Sequence, residues 1–201
     1  MNAMAVPALL TDNEVLRSCL RERDAAAMAV QPVLCVRQWL RPPALARVQA
    51  ALLPSMLPLP TEPEAWPEPL QQLHWELSAS TTLRPLAHLM GKGALLPDPW
   101  NVQGGLRDAQ AIWPAVLPQH PRTRLYTVLR VEVLLQGNAV VSAAEWNASL
   151  TAGDVLVCDA VVCEVSARVT RTGSTDARWW VGCLYAPDPC CCRQSTIDNR
   201  Q

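Results

Sequence analysis

The sequence predicts an α+β chain, with helices first and then a run of closely spaced antiparallel strands that close as a sandwich or jelly roll. Three observations predict it. Apolar residues recur at three- and four-residue spacing between residues 42 and 90, which is the helical period. From Leu125 the apolar period changes to two. Turn signals then interrupt the chain at Gln136-Gly-Asn138, Thr151-Ala-Gly-Asp154 and Thr172-Gly-Ser174. No internal repeat is visible.

Each element has its own reason. Thr11-Asp-Asn-Glu14 has the form of a capping box ahead of Val15, Leu16, Cys19 and Leu20, so residues 1–30 read as a helical extension. Residues 31–40 read as a short strand over Val33 to Val36 followed by a turn. Pro42-Pro43 opens a helix, because proline is tolerated in a first turn. Ala44, Leu45, Val48, Ala51 and Leu52 form its apolar face, and Pro54 ends it. Leu57 to Pro69 holds prolines at 58, 60, 63, 67 and 69 and reads as a loop or extended arm. Leu70 to Leu77 and Thr81 to Met90 read as helices, the second stopped by Gly91 and Gly93. Leu95 to Gly105 is turn-rich.

In the second half, Leu125, Thr127, Leu129, Val131, Val133 and Leu135 fall on one face of a strand, with Arg130 and Glu132 on the other. That pattern predicts a half-buried strand. Val140-Val141 is a short strand and Val155 to Cys158 another. Ala160 to Val169 alternates again, and Ala177 to Tyr185 is the last strand.

Composition narrows the function classes. The 201 residues are half hydrophobic and 17% charged, which suits a folded domain rather than a disordered chain. Seventeen basic residues against 18 acidic ones leave a net charge of -1. That balance speaks against a nucleic-acid domain held by phosphate contacts. No run of eighteen apolar residues predicts a membrane span, and Met1 to Leu10 lacks the basic lead of a secretory signal. The expected location is therefore intracellular, in a reducing compartment. Of the eight cysteines, none forms a Cys-x-x-Cys pair. Cys158, Cys163 and Cys183 lie in apolar runs and read as buried small hydrophobes. Cys190, Cys191 and Cys192 lie in a tail, residues 188–201, where mobility is the plain reading and metal, lipid or partner attachment the alternatives.

Catalytic motifs are scarce. No Gly-x-Ser-x-Gly elbow, Gly-x-Gly-x-x-Gly or P-loop is present, and the three histidines suggest no triad. His74-Trp75-Glu76 spells His-x-Glu, but alternate residues of a helix do not share a face. His88 reads as a partly exposed helix residue.

The order of segments resembles the 2-oxoglutarate/iron(II) oxygenases, especially their prolyl-hydroxylase-like branch. QPVLCVRQWLRPPALARVQAALL is similar to that family's opening strand and first helix. LRPLAHLMGKGALLPDPWNVQGGLRD resembles its entry to the core, with Leu96-Pro-Asp-Pro99 and Gly104-Gly105-Leu106 the most specific piece. LYTVLRVEVLLQGN, LTAGDVLVCDAVVCEV and DARWWVGCLYAP resemble three of its core strands. The resemblance covers residues 31–187 and implies a double-stranded β-helix with N-terminal flanking helices.

It also implies a His-x-Asp pair and a distal His around iron(II), and an Arg for the 2-oxoglutarate carboxylate. The stretch between Gly105 and Leu125 has one histidine, His120, with no acid two residues on. His120 reads as a surface or capping histidine, with iron ligation the alternative. No histidine follows it, and Cys163 or a neighbour stands where the distal ligand belongs. Cys163 reads as core, with metal ligation the alternative. Arg178 stands where the family's Arg occurs, with Trp180 in place of a following Ser. It is the candidate for 2-oxoglutarate, against a structural salt bridge with Asp176 or Asp159. Trp180, Cys163, Tyr126 and Arg130 are the candidate pocket-lining residues.

Three readings follow. The first is a catalytically inactive oxygenase-like module that binds a protein partner as a subunit or scaffold and expects no cofactor. The second is an active hydroxylase, with iron(II) and 2-oxoglutarate held by divergent ligands (His120, Cys163, Glu132) and Arg178. The third is a sensor of small carboxylates that uses Arg178 without iron.

Overall fold

The computed structural model describes residues 9–10, 33–52, 62–108, 118–143, 146–160 and 170–187. The readings placed on 11–30, on the Pro-rich stretch up to residue 61, on the alternating run from 161 to 169 and on the tail 188–201 lie outside them.

The chain folds as α+β, with the helices between β1 and the remaining strands. Strand β1 (Val33–Val36) leads to helix α1 (Pro42–Ala51), which carries two prolines at its start as expected. A 3-10 turn (Pro63–Ala65) precedes α2 (Glu68–Ser78) and α3 (Ser80–Leu89). Strand β2 (Leu96–Pro97) lies in the segment read as turns, and β3 (Gly105–Asp108) starts at its last residue. Then come β4 (Tyr126–Gln136), β5 (Asn138–Ala143), β6 (Trp146–Thr151), β7 (Val155–Asp159), β8 (Thr170–Gly173) and β9 (Arg178–Ala186).

Two antiparallel sheets result. The larger runs β1-β7-β4-β9-β2, with β3 also pairing β9. The smaller runs β6-β5-β8. Two cores follow from the alternation of side chains along a strand. On one face of the larger sheet Val131, Val133, Leu135, Val155, Val157, Trp180 and Leu184 pack against Val48 of α1, Leu70, Leu73 and Leu77 of α2 and Leu86 of α3. On the other face Leu134, Leu156, Cys158, Trp179 and Val181 pack against Ala139, Val141 and Leu150 of the smaller sheet. The expectation of a half-buried β4 is thus corrected. Both of its faces are covered, and Glu132 on the polar face is fully buried.

The N-terminal residues 9 and 10 are tied to α2. Both oxygens of Glu76 accept from the Leu9 amide, and Oε2 also accepts from that of Leu10. Both leucines are buried in the helix-side core. Among the described residues no helix is long and apolar enough to cross a membrane.

Candidate functional site

The two sheets pack face to face, and β4 brings two charged side chains to the face between them. Arg130, Glu132 and Leu134 alternate onto this face. Arg130 stands opposite Cys158 of β7 on one side and Cys183 of β9 on the other. Glu132 stands opposite Leu156 and Val181. The Arg130 Nε lies 2.7 Å from Glu132 Oε1, with the carboxylate side chain wholly buried and the guanidinium side chain 13% exposed. Burial works against the charge of Arg130, but the Glu132 carboxylate and the two flanking thiols outweigh it and hold the guanidinium above its ordinary pKa. The pair neutralises itself at the centre of the face.

The other sequence candidates do not join it. Residues of β9 alternate, and the helix-side core contains Trp180 while the inter-sheet core contains Trp179. Trp180 therefore points away from the inter-sheet face, and Arg178, two residues before it, starts the strand on the same side. The Arg178 Nη1 donates to the Ala177 carbonyl at 3.2 Å. Asp159, offered as its salt-bridge partner, instead lies 2.6 Å from Lys92 Nζ. Tyr126 packs on the helix-side core. Of the four pocket candidates only Arg130 lies between the sheets; Cys163 is outside the described residues.

A second polar cluster, which the sequence reading missed, forms around Asp98. The side chain of Asp98 folds back on its own loop, as an aspartate before a proline favours. Oδ1 accepts from the Trp100 amide at 3.0 Å and Oδ2 from the Val102 amide at 2.7 Å. His120 Nε2 lies 3.2 Å from Oδ1, and the Tyr185 hydroxyl donates to Oδ2 at 3.4 Å. Gln103 Nε2 donates to Tyr185 and to Thr127. Asp98, His120, Thr127 and Tyr185 are all buried. Burial, with the Cys183 thiol and the Asp98 carboxylate nearby, pushes the Tyr185 phenol well above the usual tyrosine range, so it remains a proton donor.

His120 is defined by these bonds. Its Nδ1 accepts from the Arg122 and Thr123 amides at 3.1 and 3.0 Å. Nδ1 therefore carries no proton, and Nε2 donates to Asp98. The capping reading holds, but on a buried ring rather than a surface one.

His74 is the second buried histidine. Its ring meets Trp66, Trp75 and Trp180 at centroid distances of 5.5, 4.9 and 6.0 Å. Burial lowers its pKa; the Asp98 carboxylate, the Pro99 carbonyl and Glu64 oppose the shift without overcoming it. Glu76, two residues on, is occupied with residues 9 and 10, so the His-x-Glu spelling brings no two ligands together. His88 is exposed, as expected.

Iron(II) in an oxygenase needs two imidazoles and a carboxylate on one face. Among the described residues no three His, Cys, Asp or Glu side chains converge as a metal ion requires. Both ring nitrogens of His120 are already engaged. The described residues do not fit that group.

No family model matches the chain, and no curated protein matches it. Among solved structures, a Pseudomonas putida prolyl-4-hydroxylase is similar at 12% identity and a TM-score of 0.44, over 90% of this chain and 97% of that one. The non-heme alpha-ketoglutarate-dependent carbocyclase SnoK from nogalamycin biosynthesis is similar at 13% and 0.43, over 90% of each chain. A 2OG-Fe(II) oxygenase family oxidoreductase from Burkholderia pseudomallei is similar at 14% and 0.44, over 90% and 95%. At these identities and scores the likeness carries neither activity nor ligand to this chain.

Proposed function

We propose that this chain is an oxygenase-like module without catalysis of its own, acting as a binding or structural subunit beside a protein partner. The observation that supports this reading is the buried ion pair of Arg130 and Glu132 on the face between the sheets. The guanidinium is matched by an internal carboxylate, with Cys158 and Cys183 on the flanking strands. His120 adds to it, because both ring nitrogens serve the fold. The proposed module needs no iron and no 2-oxoglutarate, and its location is intracellular.

The test is one purified sample of the full chain, loaded with iron(II) without oxygen, supplied with 2-oxoglutarate and then exposed to air. The reading expects no retained iron and no succinate. Retained stoichiometric iron with succinate release would overturn it in favour of an active hydroxylase. A rise in melting temperature with 2-oxoglutarate alone, lost in Arg178→Gln, would favour the carboxylate sensor.

A further inference from the structure

We infer that the loop between residues 96 and 104, together with the turn at 121–124, is a docking surface for a partner-protein segment that carries an apolar side chain among acidic residues. The inference rests on the binding-module reading and gives that module its contact surface.

Five large apolar side chains are exposed among the described residues, and three of them, Leu96 of β2 and Trp100 and Val102 of the loop that follows it, lie within this segment at 36% to 39% exposure. Isolated exposed apolar residues are ordinary, but three of the five fall within seven consecutive residues of the chain. Arg122 lies over the Trp100 ring, its Cζ 5.1 Å from the ring centroid. Trp and Arg are the residue types enriched where binding energy concentrates.

The loop is also held rigid from beneath. Asp98 fixes the amides of Trp100 and Val102, and the Gly104 amide donates to the Asn101 carbonyl at 3.0 Å. His120 ties the same carboxylate to the turn that carries Arg122, by accepting the Arg122 and Thr123 amides. One buried network thus sets the loop and the arginine turn in register. Its members spend their hydrogen bonds on positioning an exposed tryptophan. A contact ordered before binding loses less entropy when a partner arrives.

Charge selects the partner. Residues 118–127 contain no acid, and the one acid of residues 96–104, Asp98, is buried. Arg122 and Arg124 are both exposed. The surface is therefore aromatic and cationic, which an apolar residue among carboxylates complements. Tryptophan beside arginine also suits a single-stranded nucleic acid. Two arginines on a chain of net charge -1 are too few to track a phosphate backbone, so the protein segment is favoured.

The test uses the full chain. A library of random linear peptides is selected in parallel on the wild type, Trp100→Ser and Arg122→Glu, each checked for unchanged circular dichroism. The expected result is a pool enriched on the wild type alone, in which an aromatic or aliphatic residue is flanked by Asp or Glu. Individual peptides from it should weaken by roughly tenfold or more on Trp100→Ser. They should also fail on Arg122→Glu. Absence of enrichment, a pool with no acidic bias, or equal recovery on both variants overturns the inference. So does a uridine oligomer that binds the wild type more tightly than any selected peptide. None of these outcomes touches the iron and succinate test, so the non-catalytic reading stands or falls separately.

Discussion

Asp98 holds four donors on two oxygens in a site closed to water: two amides, an imidazole N–H and a phenol. Its removal leaves all four facing an apolar gap. Asp98→Ala should cost about 3–5 kcal/mol, since each buried donor left without an acceptor costs about 1–3 kcal/mol before the site relaxes. Tyr185→Phe gives up one 3.4 Å contact to Asp98 and the bond from Gln103, so it should cost about 1–2 kcal/mol. Urea unfolding of the two variants measures the contrast. His74 makes a prediction of a different kind. Its folded pKa lies below the unfolded value of about 6.5, because the ring is buried among tryptophans. Below that pH the unfolded chain takes up a proton that the folded chain resists. The stability is therefore complete above about pH 6.5 and falls as the pH drops through it, by at most about 1.4 kcal/mol per pH unit. Urea midpoints between about pH 8 and about pH 5 should show this slope in the wild type and a flatter one in His74→Leu.

At the scale of elements, β9 shows how closely the sheet and helices fit. The six-membered ring of Trp180 reaches over Gly182, so that a Cβ at 182 would collide with it. Gly182→Ala should cost about 1–3 kcal/mol by overpacking. Trp180→Leu in the same chain should relieve the collision, which a double-mutant cycle reads as favourable coupling. This packing also shows where the sequence was readable. β1 begins and ends where the sequence reading placed it, and α1, α2 and α3 fall within two residues of the periodic segments. Such elements carry their period in local spacing. β2, β3 and β8 do not. They are two to four residues long and rich in turn residues, and only pairing with β9 or β5 makes them strands. The side of β9 on which Trp180 lies was equally hidden. Both tryptophans fit either face, and only the helices packed over one side decide between them.

At the scale of the whole molecule, the larger sheet separates two cores. The helix side holds His74 and, at its edge, the Lys92 and Asp159 pair, while the inter-sheet side encloses the Arg130 and Glu132 pair. The sequence showed these two residues as the solvent face of β4, because nothing local reveals that a second sheet covers them. Arg130→Met alone should destabilise by about 3–5 kcal/mol, since it strands a buried carboxylate. Arg130→Met with Glu132→Leu should recover most of that loss, because two apolar side chains there need no charge partner. Chemical denaturation of the single and double variants checks it. Recovery would mean that the pair neutralises itself rather than serving as a prerequisite of the fold. The candidate site was likewise legible only in part. Arg130 and His120 were visible as chemistry, but Asp98 lay inside a turn signal. Its role depends on His120 and Tyr185, which are 22 and 87 residues away in the chain.

Lys92 ends this molecule's account of charge in an unusual way. It is the chain's one lysine among seventeen basic residues, and its amine is enclosed with Asp159 at the junction of α3 and β7. Arginine therefore supplies every other side-chain cation. An acylating dye, or an enzyme that attaches a tag to lysine, meets no side-chain amine on the folded surface. Modification at Lys92 has to wait until that junction parts. The rate at which it appears is then a clock for the opening of the helix-side core, kept by a single atom.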